Sequence, residues 1–408
     1  MSQSHPHEVK ILPQFKIATG IDIHKDSIVT YIGSVEGSVN ELKTWDTYTG
    51  TLRQIATYLK EKGSECALME STGVYWMSLY HILKESGLEV VVANPQHIKG
   101  LPKQKTDKKD AKWLCKLALN GLVRGSFVPD DVQKELRECC RMRETYKNQE
   151  TQSTNRIVKI LERANIKLRS VSQSIRTKTC RSIIEAIISG ESDVKQLSVL
   201  AQGSLKKKKE ELEKAVEGFL NETDKEELIM LREDINHYKK QKEKLEEKIN
   251  RLQKAHYEEE VRLLERISGI GEQSAQEILS EMGKDMSKFA TGDHLTSWAG
   301  LSPGNSESAG KRRNISTRKG NKHLRTTMVT VAWGAVRTKK SYWSYLYGYY
   351  KSKMPAKKAI IAIARKMLKM IYTVLIERKE YNEGGEALYL QIVNKNREMR
   401  ERRYRTAD

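Results

Sequence analysis

Four acidic residues in the first third of the chain have the types and spacing that metal-assisted phosphoryl transfer requires. Asp22 and Glu70 each end a strand-like apolar segment, and Asp107 and Asp110 lie three residues apart. If the latter pair occupies the first turn of a helix, both carboxylates share one face. Carboxylate oxygens are the ligands that Mg²⁺ prefers, and paired Mg²⁺ ions can stabilise attacking and leaving oxygens. Because acids also suit a helix N-terminus, capping is the alternative for Asp107 and Asp110.

Basic residues surround the second acidic pair. Lys105, Lys108 and Lys109 are its neighbours in the chain. Lysine side chains commonly contact phosphate oxygens, which position a protein on nucleic acid. The sequence therefore predicts that this segment contacts a nucleic-acid backbone.

A serine in a Gly-, Pro- and Ser-rich loop of the C-terminal third is a second candidate centre. The loop contains Ser306 and Ser308 and continues into a strongly cationic segment. A hydroxyl that attacks phosphorus needs nearby cations to neutralise the charge that develops on the phosphate. A solvated loop with phosphate-binding side chains is the alternative. The predicted nucleic-acid contacts of this region are Lys311, Arg312, Arg313, Arg318, Lys319, Lys322 and Arg325.

Two glycines precede a helix-like segment at the start of this C-terminal region. Gly269 and Gly271 come shortly before the helical pattern of Gln273–Met282. Glycines there allow backbone amides to approach a DNA phosphate at a helix N-terminus. The pattern resembles a helix–hairpin–helix element, and ordinary turn chemistry is the alternative.

The acidic residues lie in residues 15–128, whose pattern is α/β. Apolar runs predict strands at about 16–23, 27–33, 66–70 and 88–93, and residues 52–62 have helical spacing. Strands that alternate with helices predict a mixed sheet covered by helices.

Helical spacing replaces the strand pattern at residues 129–262. A heptad pattern with charged flanks runs through Leu228, Leu231, Ile235, Tyr238, Leu245, Ile249 and Leu252. This predicts a coiled coil, which either an intramolecular helical hairpin or a dimer would satisfy. A mainly helical C-terminal domain is predicted at 263–380 and a basic tail at 381–408.

The composition indicates a polyanionic partner. The chain has 408 residues, a formal net charge of +20 and a sequence pI near 9.5. Such a surplus attracts nucleic acid, although a ribosomal or membrane-surface protein would satisfy the charge equally well. The length exceeds that of one ordinary core and predicts two or three domains.

Several sequence features favour a cytoplasmic protein. The most apolar late stretch contains Arg365, Lys366 and Lys369, and the first ten residues lack the apolar core of a signal peptide. The five cysteines are odd in number and form no CxxC pair. We therefore expect a bacterial, nucleoid-associated protein with no membrane span, zinc site or disulfide framework.

Three acidic segments together resemble those of a known family. The sequences GIDIHKDS, MESTGVYW and KTDKKDAKWL are similar to the acidic blocks of DEDD-type transposases of the insertion-sequence one-ten family. The run GLSPGNSESAGKRR followed by RKGNKHLR resembles the C-terminal block of the same family. The resemblance covers roughly residues 16–122 and 263–377, and the intervening helical region is similar only in kind.

This resemblance implies a fold and a mechanism. It implies a RuvC-like, hence RNase-H-like, domain whose tetrad of Asp22, Glu70, Asp107 and Asp110 holds Mg²⁺. It also implies that Ser308, aligned on Gly310 and Lys311, attacks a DNA phosphate and forms a 5′-phosphoserine link. Ser306 is the near alternative as nucleophile. The family further implies guidance by a structured noncoding RNA, and a homo-oligomer, dimer or tetramer, in which the serine domain of a second subunit completes the site.

The leading hypothesis is therefore an RNA-guided DNA transposase or recombinase with an α/β RNase-H-like domain, a coiled-coil linker and a helical C-terminal domain. A metal-dependent RNase-H-fold nuclease, such as a junction resolvase, is one alternative and would need no serine. A non-catalytic nucleic-acid-binding protein is another. Its function would survive substitution of the acids, but a binding module has no use for four carboxylates that repel phosphate.

Overall fold

The chain divides into two compact units, Met1–Val128 and Pro129–Asp408. The computed structural model describes residues 15–71, 73–98, 106–123, 125–304, 307–308, 311–312, 316–317, 319–385, 387–391 and 394. The predicted further division of the second unit at residue 262 stays a prediction.

The first unit is built on a five-stranded mixed sheet. Its strands are β1 (Ile17–Ile23), β2 (Ile28–Ser34), β3 (Asn40–Trp45), β4 (Cys66–Glu70) and β5 (Glu89–Ala93), in the order β3-β2-β1-β4-β5. β2 is antiparallel to β1 and β3, whereas β1, β4 and β5 run parallel. This is the arrangement of an RNase-H-like domain, so the predicted fold class is confirmed.

β3 is the one strand of this sheet that the sequence pattern did not predict. None of its six residues is buried, because it forms an edge of the sheet. An edge strand without a buried face lacks the apolar alternation by which strands are recognised.

Helices cover both faces of this sheet. The helices of the unit are α1 (Thr49–Glu61), α2 (Trp76–Glu85), α3 (Pro95–Ile98) and α4 (Asp107–Leu119). On one face, Ile21 and Met69 pack with the buried residues of α1 and α2. On the opposite face, Ala18 and Leu68 pack with Leu114 of α4. Consecutive strand residues therefore alternate between an α1/α2 face and an α4 face.

The second unit is almost entirely helical. Its longer helices are α5 (Asp131–Arg163), α7 (Lys178–Ile188), α10 (Glu222–His256), α12 (Glu272–Met282), α14 (Lys322–Arg337), α15 (Tyr342–Lys351) and α16 (Ala356–Glu377). The shorter ones are α6 (Leu168–Val171), α8 (Val194–Val199), α9 (Lys209–Val216), α11 (Glu258–Glu265) and α13 (Gly292–Trp298), with 3-10 turns at Gly203–Lys208 and Met286–Lys288. Two short strands, β6 (Glu307–Ser308) and β7 (Lys311–Arg312), form a hairpin.

α5 and α10 form a long antiparallel pair within the chain. The ring of Tyr146 stacks on that of Tyr238, with the centroids 6.0 Å apart, and Lys242 pairs with Glu150 at 2.6 Å. The heptad residues Leu228 and Ile249 of α10 are fully buried. This pair buries heptad residues within one chain, whereas the predicted coiled coil and its dimer alternative stay predictions.

Two structural features bear on the predicted environment. None of the described helices combines the length and apolar character that crossing a membrane would take. The five cysteines are buried free thiols.

Candidate active site

The sheet brings Asp22 and Glu70 to one face of the first unit. In the parallel pairing of β1 with β4, Ile21 lies opposite Met69, so the next residue of each strand is acidic. Ile21 and Met69 belong to the α1/α2 core, and strand alternation turns their successors toward the α4 face. The two carboxylates therefore start from adjacent strand ends on the side where α4 packs.

A glycine on β1 allows α4 to approach the sheet closely. A Cβ atom at Gly20 would lie 2.0 Å from the carbonyl oxygen of Ala111 and 2.3 Å from the amide nitrogen of Cys115. The Cys115 thiol donates to the carbonyl oxygen of Ala18 at 3.1 Å, and burial raises the pKa of this thiol to about 11. The middle of α4 is thus seated directly on β1.

The first turn of α4 carries the other two acids. Thr106 caps the helix, its side chain accepting a hydrogen bond from the amide of Lys109 at 3.4 Å. Asp107 and Asp110 occupy the first turn, as their spacing predicted. Because Gly20 fixes the height of α4 over β1, this turn lies above the end of the strand that carries Asp22.

The described residues contain one compact group of potential metal ligands, made of Asp22, His24 and Asp107. Their ligand atoms all lie within 4.8 Å of one another. His24 Nε2 is 3.2 Å from Asp22 Oδ2 and 3.5 Å from Asp107 Oδ1. Asp22 is largely buried, with 15% of its side chain exposed, whereas His24 and Asp107 are each 54% exposed. The group therefore opens toward solvent, where a substrate could approach.

The charge balance at Asp22 is unfavourable. Burial is the main cause that raises its pKa above the usual value, and the negative charges of Asp107 and Asp110 raise it further. The contact with His24 acts in the opposite direction without cancelling the shift. The ionised form of Asp22 is therefore destabilised, and a cation beside it would relieve that cost.

The other two predicted acids lie near this group but outside it. Asp110 acts on Asp22 through its charge, and Glu70 ends the neighbouring strand on the same face. His24 also belongs to this group, although its sequence context alone favours an ordinary surface histidine over a group that supports Asp22. Its position two residues after Asp22 was the available indication, because alternate strand residues share a face.

Ser308 lies on the β6–β7 hairpin of the second unit. It pairs with Lys311, so only residues 309 and 310 separate the two strands. Nearby, Pro303 bridges to Thr317, and the amide of Gly304 donates to the carbonyl of Ser316 at 2.9 Å. The serine thus stands close to the tip of a hairpin whose stem is hydrogen-bonded.

Arg325 fastens the base of this hairpin. Its Nη1 donates to the carbonyl oxygen of Gly300 at 2.6 Å and to Thr317 Oγ1 at 2.7 Å. The amide of Asn321 donates to the carbonyl of Trp298 at 3.0 Å, closing the loop at its other side. The structure therefore engages Arg325 inside the protein, and its predicted contact with nucleic acid stays a prediction.

The remaining predicted contacts are distributed as follows. Lys108 and Lys109 are exposed on the first turn of α4, Lys319 is exposed, and Lys322 begins α14. The backbone of Lys311 and Arg312 forms β7. Lys105, Ser306, Arg313 and Arg318 lie outside the described residues.

The two glycines before α12 have different surroundings. Gly269 has a φ of +87°, and a Cβ there would lie 2.4 Å from the amide nitrogen of Ala335 in α14. The close packing against α14 is therefore a sufficient reason for a glycine at this position, without any contact with DNA. Gly271 precedes the first residue of α12, and a Cβ there would meet nothing within 4 Å. Only Gly271 therefore leaves open space beside a helix N-terminus.

Comparison with known proteins gives two family matches. A model of DEDD transposases of the IS110 group, described as a transposase, matches residues 19–166. A model described as transposase of the IS116/IS110/IS902 family matches residues 261–348. Among curated proteins, none matches the chain significantly. The first match contains the four acids, and the second contains the serine hairpin.

These matches, with the acidic site on its RNase-H-like sheet, define a DNA transposase, an enzyme that cuts and rejoins DNA. The chain belongs to the IS110 family of transposases, as the resemblance in its sequence predicted. Its substrate is DNA, and the DEDD type of its first domain is associated with divalent metal use.

Proposed function

We propose that this transposase exchanges DNA strands under the guidance of a noncoding RNA, using a Mg²⁺-binding acidic tetrad and a 5′-phosphoserine intermediate. The observation that carries the proposal is the approach of Asp22 and Asp107 from separate elements. Within the described part of the chain, no arginine or lysine forms an ion pair with either acid, and two carboxylates of a folded protein come this close only at a cost in stability. Perturbed acids of this kind are typical of catalytic sites.

The residues at this site fit a divalent cation. Asp22 and Asp107 supply carboxylate oxygens within 4.8 Å of each other, and burial disfavours the ionised Asp22. Glu70 and Asp110 complete the proposed set of ligands. When bound, Mg²⁺ would supply charge neutralisation at the phosphate oxygens. Because an ionised carboxylate only accepts hydrogen bonds, His24 donates from Nε2 to Asp22 and holds that side chain in place.

Ser308 supplies the nucleophile. Its Oγ forms a bond to the DNA phosphorus while the bond from phosphorus to the 3′ oxygen breaks. The hydroxyl proton is lost and the departing 3′ oxygen gains a proton, so the step needs no other reactant. The cations Lys311, Arg312 and Arg313, which follow closely in sequence, would stabilise the charge on the phosphate oxygens. The energy of the broken bond is retained in the serine ester, which allows later rejoining.

Guidance by RNA and assembly into a dimer or tetramer rest on the family and on charge. A net charge of +20 is sufficient to bind several nucleic-acid backbones at once. In an RNA-guided enzyme, base pairing selects the sequence while the protein grips the backbones.

The test is a cleavage assay with the purified chain, Mg²⁺, the element-derived RNA and end-labelled donor and target DNA, resolved on a denaturing gel. Wild type, Asp22→Ala, Ser308→Ala and the matched control Ser306→Ala are compared. The expected result is a covalent protein–DNA band for wild type and Ser306→Ala alone. Chelation of Mg²⁺ removes the band, and omission of the RNA removes cleavage at the chosen site.

Other outcomes would separate the alternatives. Cleavage that survives Ser308→Ala but not Asp22→Ala, with no covalent band, would identify a metal-dependent nuclease. A covalent band that is lost only with Ser306→Ala would transfer the nucleophile to that residue. Activity unaffected by Asp22→Ala would overturn the acidic site.

A further inference from the structure

The helical part of the second unit contains a cleft that the proposed chemistry does not use. It lies between α5, α7 and α10 and has an empty volume of about 580 Å³, including space open to solvent. Its apolar lining consists of Ile157, Ile175, Ile184 and Ile235. The first three are buried, and Ile235 packs partly buried against the same core. The cleft therefore has a firm apolar floor.

Both acids that line the cleft are already neutralised. Glu150 accepts from Lys242 Nζ at 2.6 Å, and Glu185 accepts from Arg232 Nη1 at 2.7 Å. These pairs leave neither carboxylate free to repel an anion. The charge that a ligand meets is set by the remaining cations.

Three cations of the lining have no carboxylate partner among the described residues. They are Arg176, Arg181 and Lys239. Arg176 Nη2 donates to Thr151 Oγ1 at 3.1 Å and to Thr154 Oγ1 at 3.4 Å, which orients its guanidinium against α5. The guanidinium of Arg181 has no hydrogen-bond partner within the described part of the chain. The rim thus carries an uncompensated positive charge above an apolar floor.

This combination of surfaces favours a ligand that is flat and apolar at one end and anionic at the other. A base in a duplex is stacked and paired, so only an unpaired base can enter. An arginine fork and a lysine together suit phosphate oxygens.

We propose that this cleft binds an unpaired nucleotide of a single-stranded nucleic-acid segment, with the base on the isoleucine floor and the phosphate on Arg176, Arg181 and Lys239. The inference goes beyond the proposed function, because it depends on neither the acidic tetrad nor Ser308. RNA and displaced DNA offer the same chemistry, and the experiment distinguishes them.

The test measures binding by the full chain in the presence of a chelator, so that the acidic site plays no part. Short single strands of RNA and of DNA with the same sequence carry a fluorophore and a photo-crosslinkable base. For wild type, crosslinks are expected in peptides that contain Ile175–Ile184 or Ile235. Arg176→Ala/Arg181→Ala should weaken binding about tenfold and lower the salt dependence.

The matched control removes two cations of the same region that do not line the cleft, Arg169→Ala/Lys195→Ala. It should leave the crosslinks in place and change affinity by less than about twofold, since each lost charge is then only a distant surface charge. If the control weakens binding as much as the cleft variant does, the cleft proposal is wrong.

Ile235→Lys provides a test of opposite sign. It adds a positive charge, so a purely electrostatic surface would bind more tightly. The proposal predicts weaker binding and loss of the crosslinks, because the base loses its apolar floor. Thermal unfolding confirms that the variant is folded, and a strand that is abasic throughout should bind the variant at least as tightly as wild type, because only its phosphates meet the added charge.

The two strands identify the source of the nucleotide. If Arg176→Ala/Arg181→Ala weakens binding of the RNA strand alone, the cleft binds the RNA. If it weakens binding of the DNA strand alone, the cleft binds a displaced DNA strand. Weaker binding of both strands supports a shared site. Binding of duplex DNA that depends on Arg176 and Arg181 as strongly as single-strand binding does would overturn the proposal.

Discussion

The two units each contain a buried acid, and the two acids have opposite surroundings. Asp22 in the first unit faces Asp107 and Asp110, with His24 as its hydrogen-bond partner. Glu281 in the second unit accepts two hydrogen bonds from Arg141, at 2.7 and 2.8 Å, and another from Asn321 at 2.7 Å. Its carboxylate is 4% exposed. One acid is crowded by like charges, and the other is surrounded by donors.

The pKa shifts follow this difference. Burial acts to raise the pKa of Glu281, but the hydrogen bonds from Arg141 and Asn321 and the charges of Arg137 and Arg141 lower it below the usual value. At Asp22, burial and the neighbouring acids raise the pKa. Glu281 therefore stabilises α5, α12 and α14 against one another, whereas the destabilised charge of Asp22 is consistent with the metal-binding role proposed for it.

Asp22→Asn should produce the largest effect on activity. It removes a proposed metal ligand without changing size, so DNA cleavage should fall by roughly 10³-fold or more, equivalent to several kcal/mol of transition-state stabilisation. The free energy of unfolding should stay equal or rise, because a destabilised charge is removed. Cleavage rates and chemical denaturation measure the two quantities. A variant that is active, or one that is strongly destabilised, would contradict the contrast with Glu281.

Glu281→Gln should have the opposite profile, with the largest effect on stability. Removing the charge of the buried Glu281 should cost up to about 3 kcal/mol, because Arg137, with 14% of its side chain exposed, and Arg141, with 42% exposed, lose their counter-charge. The folded pKa is lowered, so this contribution is present at neutral pH and is lost as the pH falls through that lowered value. Denaturation at several pH values measures it.

Its control is Glu162→Gln, which breaks an exposed pair with Lys167 and should cost less than about 1 kcal/mol. If both variants lower the free energy of unfolding equally, the hydrogen bonds and ion pairs of Glu281 stabilise the protein no more than an exposed ion pair does.

Gly20→Ala tests whether the site requires the close packing of α4 on β1. The new methyl would overlap the backbone of α4, which should cost about 1–3 kcal/mol and shift Asp107 and Asp110 away from Asp22. Metal affinity by calorimetry and cleavage rate should both fall. Gly50→Ala is the control, since its Cβ would meet nothing within 4 Å and it lies in α1. It should leave activity intact, and a matching loss there would refute the role of close approach.

Thr106→Ala should have the smallest effect. Loss of this cap costs about 1 kcal/mol and loosens the turn that carries Asp107 and Asp110. Thr177→Ala removes an equivalent cap, also at 3.4 Å, from α7 of the second unit. The two variants should lower thermal stability similarly, while only Thr106→Ala reduces cleavage. If both reduce cleavage equally, the effect of Thr106 is one of stability alone.

Local sequence patterns were enough to predict the fold of the first unit and to single out its four acidic residues. The strands with a buried face were predicted because their apolar residues repeat. The exposed edge strand β3 offered no such repeat. Spacing three apart placed Asp107 and Asp110 in one turn, but only the packing of Gly20 against α4 brings that turn to Asp22.

Contacts between distant residues were beyond a sequence argument. Arg141 and Glu281 are 140 residues apart, and nothing local marks either as a partner of the other. Arg325 was predicted to contact nucleic acid because it lies in a cationic run, yet its guanidinium holds Gly300 and Thr317. A basic residue in a sequence indicates capacity to bind an anion. The sequence does not show that the same N–H donors also bind a backbone carbonyl in the folded protein.

Because α5 and α10 run antiparallel, the C-terminal end of α10 lies beside the N-terminal end of α5. At 1.5 Å per residue, the 33 residues of α5 extend about 50 Å, comparable to the length of about fifteen stacked base pairs. Turns could be added to or removed from both helices together without displacing α12, which packs beside the near end. The pair is thus an arm whose length is set by these two helices alone, and its far end has its own apolar core.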